Sequence, residues 1–312
     1  MFDFYFTGVA VNSPIADYLI KQPGACILLS QLNERSNINK WLDRLKKDKP
    51  EDLKLFIDSG AFSAWTKGKK IDVDEYISFI NTNKEYFTIC ASVDVIPGTP
   101  RASQIASAEE TRKAVEATWE NFLYMRSKMD DPDKLLWTFH AGEPWEMLER
   151  GLNYRDERGP INYIGFGGLV GKNKDVIEAF CNKAFEIIRA SNNPNVKIHA
   201  FGMTRLNFLE EYPFTSADST SWLQTANFGS ITIGSKTLCL SDRKLLSDDN
   251  LINKNTALVE EVNKIITDKG FTLNQLQEDS NSRLLFNVMN FYDWSAKYVK
   301  PVYTPMLKTE LF

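Results

Sequence analysis

Short runs of Ile, Val, Leu, Phe and Tyr recur along the chain at residues 2–9, 25–30, 53–58, 87–94, 134–140, 161–166, 196–201 and 213–218. They carry few charges, as strands buried on both faces of a parallel sheet do. Between them the apolar positions change to helical spacing. Residues 36–47 carry Ile38, Trp41, Leu42 and Leu45, and residues 73–83 carry Tyr76, Ile77, Phe79 and Ile80. A longer stretch from about Ser107 to Met129 places Val115, Trp119, Phe122 and Leu123 on one stripe, and residues 174–190 do the same with Val176, Ile177, Phe180, Phe185 and Ile188. Alternating strand and helix predicts a parallel α/β fold. Eight such units favour a closed (β/α)8 TIM-type barrel over an open sheet.

After Gly234 the pattern turns helical. Residues 256–268 predict a helix with Thr256 as N-cap and Gly270 as its stop, followed by helices over 272–278 and 280–298. The expected organisation is a barrel over residues 1–240 and a C-terminal helical extension over 241–312, packed on the barrel. The 312 residues are 43% hydrophobic and 25% charged, an ordinary soluble composition. No apolar run reaches the roughly 18 residues of a membrane span, and the start Met1-Phe2-Asp3-Phe4 lacks a secretory leader. A cytoplasmic location follows as the expectation. The cysteines Cys26, Cys90, Cys181 and Cys239 form no C-x2-C pair, and the only histidines are His140 and His199, so neither a structural zinc site nor any metal is expected. A net charge of −4 argues against a uniformly basic nucleic-acid coat, but leaves room for a local basic patch.

The strand ends carry the candidate chemistry. In a barrel of this type the active site gathers at the C-terminal ends of the strands. The third run ends Asp58-Ser59-Gly60-Ala61-Phe62, the fourth ends at Asp94, the fifth at His140, the sixth at Gly167-Gly168-Leu169, the seventh at Phe201-Gly202 and the last at Asp218. Small residues after Asp58 let the backbone approach a ligand. Phe62 and Phe201 offer aromatic faces, and Gly167-Gly168 exposes backbone N–H groups. A flat heterocycle with donor and acceptor edges suits such a site. Asp58 and Asp218 also admit a plainer reading as helix N-caps, and Asp94 one as a residue that shapes the turn before Pro97. His140 admits one as a satisfied buried histidine, and His199 reads as structural.

Four motifs in order, Asp-Ser-Gly-Ala-Phe (58–62), Gly-Gly-Leu-Val-Gly (167–171), His-Ala-Phe-Gly (199–202) and Ala-Asp-Ser-Thr-Ser-Trp (217–222), resemble the tRNA-guanine transglycosylase superfamily. The resemblance spans roughly residues 50–235. It is nearest to the DpdA-like DNA transglycosylases of phages and bacterial genomic islands, which would place the protein in a host cytoplasm. It implies exchange of guanine in DNA for a free 7-deazaguanine such as preQ0, through a covalent glycosyl-enzyme. Asp218 would be the nucleophile and Asp58 the general acid/base. Asp94 would read the base's N1 and exocyclic amine. The Gly168 N–H would hold O6, the Leu169 carbonyl would lie near the amine, and Phe62 and Phe201 would stack on the ring. His140 stands where the tRNA enzymes have a base-reading glutamine, a change that bears on which base is accepted. The three cysteines and one histidine that bind zinc in those enzymes have no counterpart here, so no zinc or other cofactor is expected.

A nucleic-acid substrate needs phosphate contacts. Lys67, Lys69 and Lys70 follow the Asp58 loop, Lys172 and Lys174 the glycine loop, Arg205 follows Phe201, and Lys236, Arg243 and Lys244 follow the last strand. The expected partners are DNA and a free base, with no membrane, and any protein partner is left open. Three alternatives stand beside this reading: a transglycosylase acting on tRNA, a non-catalytic nucleic-acid-binding subunit, and a nucleosidase in which water replaces the incoming base.

Overall fold

A computed structural model describes residues 1–48, 50, 52–99, 106–203, 205–240, 248 and 250–302. Eight parallel strands close into a barrel: β1 (Asp3–Thr7), β2 (Cys26–Ser30), β3 (Lys54–Asp58), β4 (Phe87–Ala91), β5 (Leu135–His140), β6 (Tyr163–Gly167), β7 (Lys197–Ala200) and β8 (Ser216–Ser219). Each strand pairs with its predecessor, and β8 closes on β1 with Tyr5 opposite Asp218. The expected TIM-type barrel is therefore present, and every apolar run named above overlaps one strand.

Side chains alternate along a strand, so each strand feeds two separate apolar sets. Phe4, Phe6, Ile27, Leu29, Leu55, Ile57, Trp137, Phe139, Ile164 and Phe166 face outward into the core beneath the helices. Tyr5, Cys26, Leu28, Phe56, Ile89, Ala91, Leu136 and Tyr163 face inward and fill the barrel. The inward register continues from Tyr5 to Thr7, Leu28 to Ser30, Phe56 to Asp58, Leu136 through Thr138 to His140, Tyr163 through Gly165 to Gly167, and Ser216 to Asp218. An apolar plug thus supports a polar layer at the C-terminal mouth.

The helices follow their local signals. The helix Ala108–Lys128 starts in a capping box, with the Ser107 hydroxyl accepting from the Glu110 N–H and the Glu110 carboxylate accepting from the Ser107 N–H. The helix Thr256–Asp268 is capped by Asn255, whose side chain accepts from the Leu258 N–H, so Thr256 is its first helical residue rather than its cap. Asn is as good a cap as Thr, and here it precedes it. Short helices at Pro14–Leu19, Ala61–Thr66, Trp145–Asn153, Leu206–Glu211 and Ser221–Asn227 complete the outer ring.

The C-terminal extension contains the helices Thr256–Asp268, Leu273–Glu278 and Ser280–Lys297. It is preceded by an antiparallel hairpin, Ser230–Ile233 with Lys236–Cys239, that the helical pattern did not predict. Ile231, Leu238, Val262, Ile266, Leu276 and Phe286 form a small core joining hairpin to helices. The last helix also closes the N-terminal end of the barrel: Phe4 stacks on Phe291 at 5.0 Å, and the Phe2 N–H donates to the Ser295 carbonyl at 2.8 Å. Among the described residues, no helix is long and apolar enough to cross a membrane.

Candidate active site

The polar layer brings Asp58, Asp94, His140 and Asp218 from four strands to one mouth. Their carboxylates and imidazole occupy different surroundings. Asp58 ends β3 and accepts from the Gly60 N–H at 3.0 Å. Gly60 sits at φ +81°, and a Cβ there would lie 2.6 Å from Leu32, so the turn that presents this N–H requires glycine. Burial pushes the Asp58 carboxyl up to about 7; the neighbouring charge of Asp94 adds to this, the Gly60 hydrogen bond opposes it, and the charge of Asp218 raises it further.

Asp94 lies just beyond β4, with Oδ2 3.3 Å from His140 Nε2. Its Oδ1 is buried and has no hydrogen-bond partner. A buried carboxylate oxygen left bare can accept an N–H or O–H donor from a ligand or a water. His140 Nδ1 lies 2.8 Å from Glu143 Oε1. Burial alone would lower the His140 pKa, but the hydrogen bonds to Asp94 and Glu143 outweigh it and raise it to about 10. His140 is therefore an imidazolium held between two carboxylates. Both its nitrogens are engaged by carboxylates, Nε2 by Asp94 and Nδ1 by Glu143. Gly167 makes room for it, since a Cβ there would lie 2.5 Å from His140 Cδ2.

Asp218 lies near the end of β8 against three polar partners. Oδ1 accepts from the Gly202 N–H at 2.8 Å and faces His199 Nε2 at 3.3 Å, while Oδ2 accepts from the Thr7 hydroxyl at 3.2 Å. It does not cap the following helix, whose N-cap is Thr220. Asp58 likewise leaves its helix to Gly60. The N-cap readings of these two aspartates are thus replaced by a shared, inward-facing role.

Phe201 packs inside the barrel, 4.5 Å from His199 and 5.9 Å from Phe56, over a space that a Cβ at Gly165 would fill. Phe62 stands in the open at 67% exposure, beside Trp65 at 5.9 Å. Trp65 Nε1 donates to the Gly98 carbonyl at 3.0 Å, tying the β3 loop to the β4 loop. Gly168 is exposed at φ +72°. Leu169 is buried, and its carbonyl already accepts from the Lys172 N–H at 3.2 Å.

Lys67, Lys69, Lys70, Lys172 and Arg205 are all exposed on loops that follow β3, β6 and β7, at the same end as the carboxylates. Lys174 is paired with Glu178 at 3.1 Å. Lys236 is misplaced by the sequence reading. The hairpin tip at Gly234 shares a shallow depression with Glu210, Trp294 and Tyr298, and the last two pack on Phe2 at the N-terminal end of β1. The chain has returned to the far end of the barrel by then. Arg243 and Lys244 lie outside the described residues. Among the described residues, no group of three or more His, Cys, Asp or Glu side chains is arranged to hold a metal ion.

Sequence reasoning missed Thr7, Glu143 and the Gly202 N–H. Thr7 carries a usable signal, being the polar end of β1 in the inward register. Glu143 follows His140 by three residues across a turn, and only the fold shows that it curls back.

Two carboxylates whose surroundings differ this much can divide acid/base and nucleophilic roles between them. The class defined by fold and site is a parallel (β/α)8 barrel with a carboxylate-lined mouth. Compared with known proteins, the chain matches no family model and no curated sequence.

Proposed function

We propose that this protein is a DNA-guanine transglycosylase that replaces guanine with a 7-deazaguanine by double displacement at C1′. One observation carries the reading above the motif resemblance: Asp58 and Asp218 share one mouth, with Asp58 pushed up to about 7 and Asp218 held by the Gly202 N–H, the Thr7 hydroxyl and His199. A carboxyl poised near neutrality gives a proton to departing guanine and takes one from the incoming base. A fixed carboxylate attacks C1′. Asp94 Oδ1 accepts from the N–H edge of the base. Phe201 supports the ring from inside the barrel, and the exposed Phe62 closes over it when substrate is present.

The basic residues on the β3, β6 and β7 loops hold the phosphate backbone. A base in a duplex reaches this mouth only by leaving the stack. DNA is preferred over tRNA as substrate because the Asp-Ser-Thr-Ser-Trp segment matches the DNA branch of the resemblance. The test is nucleoside mass spectrometry of plasmid DNA and bulk tRNA after incubation with the protein and preQ0. Deazaguanine in DNA, absent with Asp218→Asn, is the expected result. Deazaguanine in tRNA alone changes the substrate. Free guanine without incorporation makes the protein a nucleosidase, and no change in either nucleic acid overturns stand-alone exchange.

A further inference from the structure

Behind Asp218 lies a buried polar chain that the base-exchange reading does not use. His199 Nε2 faces Asp218 Oδ1 at 3.3 Å, His199 Nδ1 lies 2.6 Å from Ser216 Oγ, and the Tyr163 hydroxyl lies 2.7 Å from the same Ser216 oxygen. His199 and Ser216 are each 0% exposed and Tyr163 6%. Phe56 and Phe201 pack edge-on against the imidazole at 4.9 and 4.5 Å, and Tyr5 at 6.0 Å, which fixes the ring plane and keeps water out.

The hydrogens can be counted. If Tyr163 donates to Ser216, the Ser216 hydrogen is free to go to Nδ1. His199 is then neutral, with its single N–H on Nε2 pointing at Asp218. With the proton on Nδ1 instead, Ser216 Oγ accepts it, and one of the two hydroxyl hydrogens of Ser216 and Tyr163 is left without an acceptor within this network; a buried donor in that state is costly. Burial holds the Tyr163 phenol well above its ordinary value, so it remains a donor.

We propose that Tyr163, Ser216 and His199 form a directed relay that locks the Asp218 carboxylate and presents Oδ2 as the attacking oxygen. The proposal rests on the reading of Asp218 as nucleophile. Oδ1 is engaged by two donors, Gly202 and His199, whereas Oδ2 has the Thr7 hydroxyl alone and keeps a lone pair for C1′. In the first displacement the Oδ2–C1′ bond forms and the C1′–base bond breaks. The bonding pair leaves with guanine, which takes its proton from Asp58. Oδ1 becomes the ester carbonyl and keeps both donors. In the second displacement the incoming base attacks C1′ and gives its N–H proton to the ionised Asp58, the Oδ2–C1′ pair returns to the carboxylate, and the same donors receive the recovered charge. His199 transfers no proton and is a positioning residue.

The two histidines make the test clean. In the full chain labelled with 15N-histidine at neutral pH, His199 should show a protonated Nε2 and a bare Nδ1, while His140 shows two protonated nitrogens. Ser216→Ala should shift His199 toward a mixture of tautomers, with the His140 signals unchanged as the sign of an intact fold. In base exchange, Ser216→Ala and His199→Ala should lower kcat by about ten- to a hundredfold with KM for DNA little altered. His199→Gln, which can still offer an N–H toward Oδ1, should recover part of the loss. An imidazolium or an Nδ1–H tautomer at His199 overturns the relay, as does a Ser216→Ala variant with unchanged tautomer and unchanged kcat. A wild-type protein that exchanges no base overturns the transglycosylase reading by itself, and the nitrogen spectrum still decides the relay.

Discussion

Asp58 and Asp218 carry the same functional group, and their surroundings separate them. Asp58 is buried beside two other carboxylates, and burial first and the charge of Asp94 next outweigh the Gly60 N–H, so its proton is retained to about 7. Base exchange needs Asp58 protonated in one half-reaction and ionised in the other, so the rate should pass through a maximum near pH 7 and fall on both sides. Asp58→Asn should lower exchange by about 10²–10⁴-fold and abolish that pH dependence, as measured by labelled-base uptake. The same raised value sets the sign of a stability effect. A carboxyl that holds its proton more tightly when folded contributes fully below its ordinary value of 3.8, and that contribution is lost as pH rises to about 7. Asp58→Asn should therefore be more stable than the wild type at pH 8, by roughly 1–3 kcal/mol in urea denaturation. His140 behaves in the corresponding way over a higher window. Its folded value of about 10 against an ordinary 6.5 means stabilisation that is complete below 6.5 and lost toward 10. His140→Gln should flatten the decline in stability over that range.

At the scale of elements, β6 shows how a strand makes room. Its inward residues Gly165 and Gly167 leave space for Phe201 and His140, and Cβ atoms there would lie 2.4 and 2.5 Å from those rings. Gly165→Ala should cost about 1–3 kcal/mol through overpacking, read as a lower denaturation midpoint with the barrel retained. Removing a cap should cost less: Ser107→Ala should lower stability by about 1 kcal/mol. These elements also show what was legible in advance. The runs that became β1–β8 could be read because parallel strands are apolar on both faces, and the ends of the third to eighth runs then marked the mouth. The parity that puts His199 and Phe201 on one face was legible for the same reason. The hairpin at 230–239 was not, since two four-residue strands leave little periodicity to detect. Nor were the partners of His140, because Asp94 and Glu143 reach it only through the closure of the barrel and the turn after β5. Lys236 was assigned to the mouth by sequence order, and the short helix Ser221–Asn227 had already carried the chain away from it.

At the scale of the whole molecule, the two ends of the barrel do different work. The N-terminal end is closed by the helix Ser280–Lys297 through Phe291 and Ser295. The C-terminal end gathers the carboxylates and carries Lys67, Lys69, Lys70, Lys172 and Arg205 on the loops after β3, β6 and β7, on a chain whose net charge is −4. A local basic patch on an acidic body should bind nucleic acid with strong salt dependence. Lys69→Ala and Lys70→Ala should each reduce the slope of log K against log salt by about 1 if the side chain contacts a phosphate. Lys264→Ala should leave it unchanged, because Lys264 lies on the C-terminal helices and pairs with Asp268. The central claim is that Asp218 forms a covalent bond to the deoxyribose, and trapping that bond tests it most directly. The protein would be incubated with guanine-containing DNA, denatured without added base and digested, and the peptides examined by mass spectrometry. A deoxyribose-linked strand is expected on the peptide containing Asp218, lost in Asp218→Asn and released by preQ0 before quenching. Base exchange that proceeds with no such adduct, or an adduct on a different residue, would contradict it.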